Sequence, residues 1–147
     1  MKYINYLSLI VVVLLLSMKS DNDRKQLLCQ KWLQFALKLH DASSPRAIDR
    51  SMAKESAFKA DGTYDDLMYN GALKTSGEWF LNDDQTKMEF TITSLNGKAM
   101  PPFPETTKHY NIIILKLTKD TLVYGQEAYY GKAKVYGHDD WYFVREK

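Results

Sequence analysis

Apolar and polar residues alternate along most of the chain after residue 27, with the two-residue period of strands that face solvent on one side. The clearest segment is 87–95, in which Met88, Phe90 and Ile92 share one face and glutamate and threonine occupy the other. Comparable patterns predict further strands at 54–60, 63–70, 76–82, 109–118, 121–130, 132–136 and 140–146. Segment 27–39 predicts the first strand, although its composition also suits a helix.

Turn signals separate these segments. Asp61-Gly62, between Phe58 and Tyr64, predicts a type I′ β-hairpin. A type I′ turn needs positive φ at both of its central positions, and Asp-Gly adopts such values readily. Residues 96–105 hold three of the four prolines and predict a loop. About eight strands in sequence order predict an all-β domain, either a single antiparallel up-and-down barrel or a sandwich. We expect each strand to pair with its sequence neighbour and the last strand to pair with the first, which removes exposed edges.

The N-terminal segment has a different pattern. Lys2 precedes an unbroken apolar run at 9–16, and small residues follow at Ser17 and Ser20. Even counted from Leu7, the run makes only ~15 Å of helix, because each residue adds ~1.5 Å. A bilayer core is ~30 Å thick, so the run is too short to span it, and the pattern is typical of a secretory signal peptide.

The resulting domain organisation is a signal peptide at 1–20, a polar linker at 21–26 and one folded domain at 27–147. The expected location is therefore the periplasm or the extracellular space, with no stable membrane span after cleavage. The single cysteine, Cys29, can form no intramolecular disulfide. We predict that it is a small buried residue of the first strand.

Net charge argues against one class of partner. The formal charge is +2, but Lys2 and Lys19 lie in the signal segment, and without them 18 basic residues balance 18 acidic ones. A net charge near zero gives no electrostatic basis for binding nucleic acid.

The chain lacks the sequence motifs of nucleotide-binding loops, serine hydrolases, zinc proteases and calcium loops. Its three histidines share no metal-ligand spacing, and His138-Asp139-Asp140 predicts a solvated turn. The acidic pairs Asp65-Asp66 and Asp83-Asp84 predict turn and edge charges. We therefore predict no catalytic residue, no metal site and no cofactor, hence a protein that is not an enzyme.

Aromatic residues are abundant, with 3 Trp, 10 Tyr and 6 Phe. The interior of an eight-stranded barrel is just wide enough to be filled by side chains or to hold one small ligand. The candidate lining residues are apolar and aromatic side chains on strand positions that can face inward: Phe58, Tyr64, Trp79, Phe90, Ile92, Tyr124 and Trp141. The same side chains can simply fill the core. Buried tyrosines favour a site, because a phenol needs a hydrogen-bond partner that a ligand or water can supply.

Four short motifs occur in order and resemble those of the small secreted lipocalin-like domain proteins of bacteria, within the wider lipocalin barrel group. The motifs are Trp32 near the start of the first strand, Phe-Lys-Ala-Asp-Gly-Thr-Tyr at 58–64, Gly-Glu-Trp at 77–79 and Ile-Leu-Lys-Leu-Thr-Lys-Asp-Thr-Leu at 114–122. The resemblance covers roughly residues 27–146. The family starts its first strand with Gly-x-Trp, whereas this chain has Gln30-Lys31-Trp32.

The resemblance implies that Trp32 plugs the barrel floor and that Arg145 packs across its indole, a favourable cation–π geometry. It also implies an exported, non-enzymatic barrel that binds a small hydrophobic or amphipathic molecule. The alternative is an envelope or secreted interaction module whose barrel is filled and whose loops contact another macromolecule. An internal cavity of ~300 Å³ or more, the low end for ligand pockets, distinguishes the two.

Overall fold

Ten antiparallel strands follow a short helix at 24–28 in the computed structural model, which describes residues 24–100, 109–130 and 133–147. In chain order the strands are β1 (Lys31–Lys38), β2 (Arg46–Ala47), β3 (Glu55–Phe58), β4 (Thr63–Met68), β5 (Leu73–Leu81), β6 (Lys87–Leu95), β7 (Lys98–Ala99), β8 (His109–Leu117), β9 (Thr121–Tyr130) and β10 (Ala133–Arg145). None of the helices within these ranges has the length and apolar character that crossing a bilayer requires.

Eight of the strands close into a barrel. The order is β10-β9-β8-β6-β5-β4-β3-β1, and β1 pairs with β10, so that Trp32 lies opposite Arg145 and Lys38 opposite Asp140. The two-residue strands β2 and β7 pair with β1 and β6 at the margins. The predicted all-β, up-and-down barrel is confirmed, and the sandwich alternative is wrong because one continuous sheet closes on itself.

The hairpin at Asp61-Gly62 is confirmed, but its predicted turn type is wrong. Gly62 has φ of 86°, and Asp61 is not among the residues with positive φ. The Gly62 N–H donates to the Lys59 carbonyl, and the Lys59 N–H donates to the Thr63 carbonyl. The hairpin loop is therefore longer than the two residues of a type I′ turn, and its glycine is left-handed. The Asp61 carboxylate stabilises it by accepting hydrogen bonds from the Thr63 N–H and hydroxyl, at 2.9 and 2.7 Å.

Strand boundaries differ from prediction at both ends of the folded domain. The first strand begins at Lys31 because residues 24–28 form the helix, and Cys29 lies between the two, half-buried rather than within a strand. The segments 132–136 and 140–146 belong to one strand, β10, which has a register shift between Lys134 and His138. Loop 96–105 contains the short β7, and its residues 101–105 lie outside the described part of the chain.

Strand alternation places the core inside the barrel. On β6, Met88 and Phe90 are buried and Ile92 is half-buried, as the sequence predicts. The central buried cluster is formed by residues from most of the barrel strands: Leu28, Trp32, Phe58, Tyr64, Trp79, Met88, Phe90, Ile112, Ile114, Leu122, Tyr124 and Phe143.

One glycine is required by a close approach between strands. At Gly77, where the β5–β6 register shifts, an added Cβ would lie 1.9 Å from the Thr91 carbonyl oxygen and 3.0 Å from Tyr64 Cε1. We expect Gly77→Ala to lower the free energy of unfolding by about 3 kcal/mol or more, because backbone must move to remove the clash. Gly71→Ala is the control: Gly71 has φ of +83° and nothing within 4 Å, so only backbone strain of about 1 kcal/mol is expected. Urea unfolding of both variants measures the difference, and equal losses would contradict this account.

Candidate functional site

A cavity of about 280 Å³ lies inside the barrel, in the half away from helix 24–28. Strands β4, β5, β6, β8, β9 and β10 all contribute side chains, together with the residue just before β3. The lining residues are mostly apolar or aromatic, with a few polar groups: Lys54, Tyr64, Asp66, Met68, Thr75, Phe90, Ile92, Ile112, Gln126 and Trp141.

The structure brings four of the predicted lining residues to this cavity, namely Tyr64, Phe90, Ile92 and Trp141. Tyr124 lies immediately behind them. Its ring stacks on Trp141, with ring centroids 6.1 Å apart and an interplanar angle of 23°.

The other two predicted residues, Phe58 and Trp79, lie away from the cavity wall. Their ring centroids are 5.5 Å apart, and the Phe58 ring also packs on Phe90 at 5.7 Å. Both are buried in the central cluster. Their position is that of core residues beneath the cavity.

A buried ion pair that the sequence pattern does not predict lies in the cavity wall. Lys54 Nζ lies 2.8 Å from Asp66 Oδ2, and the side chains are 17% and 8% exposed. The same ammonium donates a 3.3 Å hydrogen bond to the Tyr124 hydroxyl. It also lies over the rings of Tyr124 and Trp141, at 5.9 and 5.7 Å from their centroids.

The backbone of Lys54 is fixed by a buried glutamine on β1. The Gln34 N–H donates to the Lys54 carbonyl at 2.8 Å, and the Lys54 N–H donates to Gln34 Oε1 at 3.2 Å. Gln34 is 4% exposed, because it shares the inward face of β1 with Trp32 and Ala36. A polar side chain at this position therefore aims the lysine into the barrel.

The environment of Lys54 keeps its side chain charged. Burial disfavours the ammonium, but the opposite charge of Asp66 and the interactions with Asp66 and Tyr124 together outweigh burial and raise the pKa of Lys54 well above its ordinary value. Burial also raises the pKa of the Tyr124 hydroxyl, which stays protonated at neutral pH. The cavity wall thus holds one positive and one negative charge in contact.

Two buried polar atoms on cavity-lining side chains have no hydrogen-bond partner among the described residues. They are Asp66 Oδ1 and Trp141 Nε1. A carboxylate oxygen only accepts and an indole N–H only donates. An unsatisfied buried polar group costs about 1–3 kcal/mol, so a hydrogen-bond partner for either atom would recover that energy.

The prediction that Asp65-Asp66 forms turn and edge charges is wrong for Asp66. Neighbouring residues on a strand point to opposite sides, so Asp65 faces outward to Lys59 Nζ, at 2.8 Å, while Asp66 faces inward. The signal was present in the sequence. The sequence predicts Tyr64 on the inner face, and Asp66 is two residues further along the same strand and therefore on the same face.

The prediction of a solvated turn at His138-Asp139-Asp140 is also wrong, since these residues belong to β10. His138 Nδ1 contacts Asp140 Oδ1, and the His40 N–H donates to Asp139 Oδ1 at 2.9 Å. Among the residues that the structure describes, no three metal-competent side chains of histidine, cysteine, aspartate or glutamate converge.

Trp32 lies at the opposite end of the barrel and is fully buried. Its indole N–H donates a 3.0 Å hydrogen bond to the Leu28 carbonyl of helix 24–28. Arg145 pairs with Trp32 through the backbone, but its side chain is exposed and lines an open cleft with Lys119 and Cys29. The cations that lie over aromatic rings in the described residues are lysines.

No protein-family model and no curated protein matches the chain. Among solved structures it is similar to lobster apocrustacyanin A1, with 15% identity, a TM-score of 0.46 and coverage of 87% of this chain and 66% of that one. It is also similar to apocrustacyanin C2, with 16% identity, a TM-score of 0.44 and coverage of 88% and 66%. Crustacyanins belong to the lipocalin group. The match spans just under two thirds of the length of either crustacyanin chain. The evidence for the barrel in this protein is its own strand pairing.

Proposed function

We propose that the barrel binds one small amphipathic molecule in the cavity beside Lys54 and Asp66. The observation that carries this proposal is a cavity with apolar and aromatic walls, whose lining side chains include a buried ion pair and carry two unpartnered polar atoms. Ligand pockets combine apolar walls with a few placed polar groups in this way.

The volume limits the size of the ligand. About 280 Å³ is close to the ~300 Å³ low end of ligand pockets and equals the bulk of roughly nine water molecules at ~30 Å³ each. The proposed ligand is therefore a single-ring or short-chain molecule.

Binding without catalysis is part of the proposal. A lysine attacks a carbonyl only as the neutral amine, and Asp66 holds the pKa of Lys54 well above its ordinary value. The lysine therefore serves as a fixed charge, and no covalent adduct with aldehydes is expected.

An interaction module remains the second candidate, because the outer face of β1 and β10 is apolar. Phe35 is 43% exposed and its ring contacts Tyr142 at 6.2 Å, and Val144 beside them is also exposed. If no small molecule binds inside the barrel, that result favours this second function.

Export is the remaining part of the proposal, and it rests on the apolar run at 9–16. We place the protein in the periplasm or the extracellular space, with a mature chain that starts near residues 17–21. The intact mass of the protein purified from the cells that make it tests this, and retention of Met1 would contradict it.

Binding is tested by titrating the protein with toluene, a plain apolar probe, while methyl NMR signals are recorded. We expect shifts at Ile92 and Ile112, and we expect Ile112→Phe to abolish the shift at Ile92 because the larger ring occupies the cavity. Leu115→Phe is the matched control, since Leu115 lies on the outside of the same strand. Equal toluene binding by both variants would contradict a binding site inside the barrel.

A further inference from the structure

The polar wall of the cavity determines which head group a ligand can carry, an inference that rests on the proposed function. We propose that the cavity selects neutral molecules whose head group both donates and accepts a hydrogen bond, a hydroxyl or a carboxamide, over carboxylates and ammonium ions of the same size. The selecting groups are Asp66, Trp141 and Lys54.

Charge balance excludes ionic head groups. Lys54 and Asp66 are already paired at 2.8 Å, so the wall has no net charge to offer. A carboxylate entering the cavity loses its hydration and meets the Asp66 carboxylate, and an ammonium meets the Lys54 ammonium. Moving an ion out of water costs several kcal/mol unless an opposite charge compensates, and here the charges of Lys54 and Asp66 already balance each other.

Hydrogen-bond balance selects among the neutral head groups. Asp66 Oδ1 needs a donor and Trp141 Nε1 needs an acceptor, and both side chains surround the same lysine ammonium. A hydroxyl or a carboxamide supplies both functions at once. A hydrocarbon supplies neither function and leaves both atoms unpaired. A site built to hydrogen-bond its ligand strongly rejects an analogue that lacks the hydrogen-bonding group.

Four single-ring probes of similar size test the inference at pH 7: benzyl alcohol, toluene, benzoate and benzylammonium. NMR titration of the whole protein gives a Kd for each. We expect benzyl alcohol to bind about fivefold more tightly than toluene, as one net hydrogen bond predicts, and at least about tenfold more tightly than either ion.

Two variants assign the effect to the named atoms. Trp141→Phe keeps a ring but removes the indole N–H, so it should lower the ratio of benzyl alcohol affinity to toluene affinity about fivefold, whatever it does to the binding of both probes through the size of the cavity. Asp66→Asn leaves the Lys54 charge uncompensated, so it should reverse the preference and make benzoate the tightest probe. The double variant Lys54→Met/Asp66→Asn is neutral again and should reject both ions, which also covers the case in which the single variant fails to fold.

The possible outcomes distinguish failure of the head-group inference from failure of the proposed binding function. If toluene binds in the cavity and benzoate binds as tightly as benzyl alcohol, the head-group inference is overturned and the binding function stands. If Trp141→Phe leaves the ratio of benzyl alcohol affinity to toluene affinity unchanged, the assignment of the indole N–H is overturned. If none of the four probes shifts cavity signals, both the inference and the proposed function fail.

Discussion

Lys54→Met is expected to lower the free energy of unfolding by about 3–5 kcal/mol. The substitution leaves the Asp66 carboxylate, 8% exposed, without the ammonium that lies 2.8 Å away. Removing one partner of a buried ion pair is costly because the remaining charge has lost both its hydration and its counter-charge. Urea unfolding measures the loss.

The double variant Lys54→Met/Asp66→Leu is the control for this prediction. Replacing both charges with apolar side chains removes the desolvation cost, so its stability should lie within about 1 kcal/mol of the parent protein. The coupling between the two sites should therefore be large and opposite in sign to the single losses. Losses that simply add would mean that the two side chains do not form a desolvated pair.

Trp32→Ala is expected to lower the free energy of unfolding by about 3–5 kcal/mol, the usual cost of truncating a buried tryptophan. The side chain has no exposed surface, and it joins helix 24–28 to the barrel through its hydrogen bond to the Leu28 carbonyl. Trp32→Phe separates the two contributions, since it keeps most of the packing and loses only the hydrogen bond, about 1 kcal/mol.

Arg145→Ala tests the cation–π contact that the lipocalin resemblance implies. Because the Arg145 side chain is exposed, we expect a loss within about 0.5 kcal/mol and additivity with Trp32→Ala. A coupling of 1 kcal/mol or more between the two sites would place the guanidinium across the indole. A Trp32→Ala variant as stable as the parent would contradict the role of Trp32 as the barrel floor.

Strand pattern and topology could be predicted from the sequence because apolar and polar residues alternate with a two-residue period in strands that are buried on one face. Segment 87–95 shows this most directly, since its predicted inner residues Met88, Phe90 and Ile92 face inward and its limits match β6. Closure followed from the same reasoning, because consecutive strands joined by short turns leave two edges that can satisfy each other.

The first strand shows where composition misleads. Its leucines and Phe35 lie on the face away from the core, while Trp32, Gln34 and Ala36 point inward. Hydrophobicity alone favours the opposite orientation. On the inward face, Trp32 hydrogen-bonds to Leu28 in the preceding helix, and Gln34 hydrogen-bonds to Lys54, which is 20 residues away and is brought close only by the tertiary fold.

The candidate site could be predicted only in its aromatic part. The sequence predicts Tyr64, Phe90 and Trp141 because aromatic side chains on inward positions indicate a core or a pocket, and all three line the cavity. The sequence does not predict Lys54 and Asp66 as site residues, because charged residues are usually solvated and because their pairing joins a loop residue to a residue of β4. A charged side chain can be buried where the fold supplies an opposite charge, and the hydrophobic periodicity of a sequence does not show where that partner lies.

The central claim is that a small neutral molecule binds inside the barrel beside the Lys54–Asp66 pair. Intermolecular NOEs between benzyl alcohol and the protein test it most directly. The account predicts NOEs from the ligand ring to the side chains of Met68, Ile92 and Ile112, and from its methylene to the Trp141 indole N–H. NOEs confined to outward residues such as Leu115 and Val144, which are exposed on the barrel surface, would contradict it.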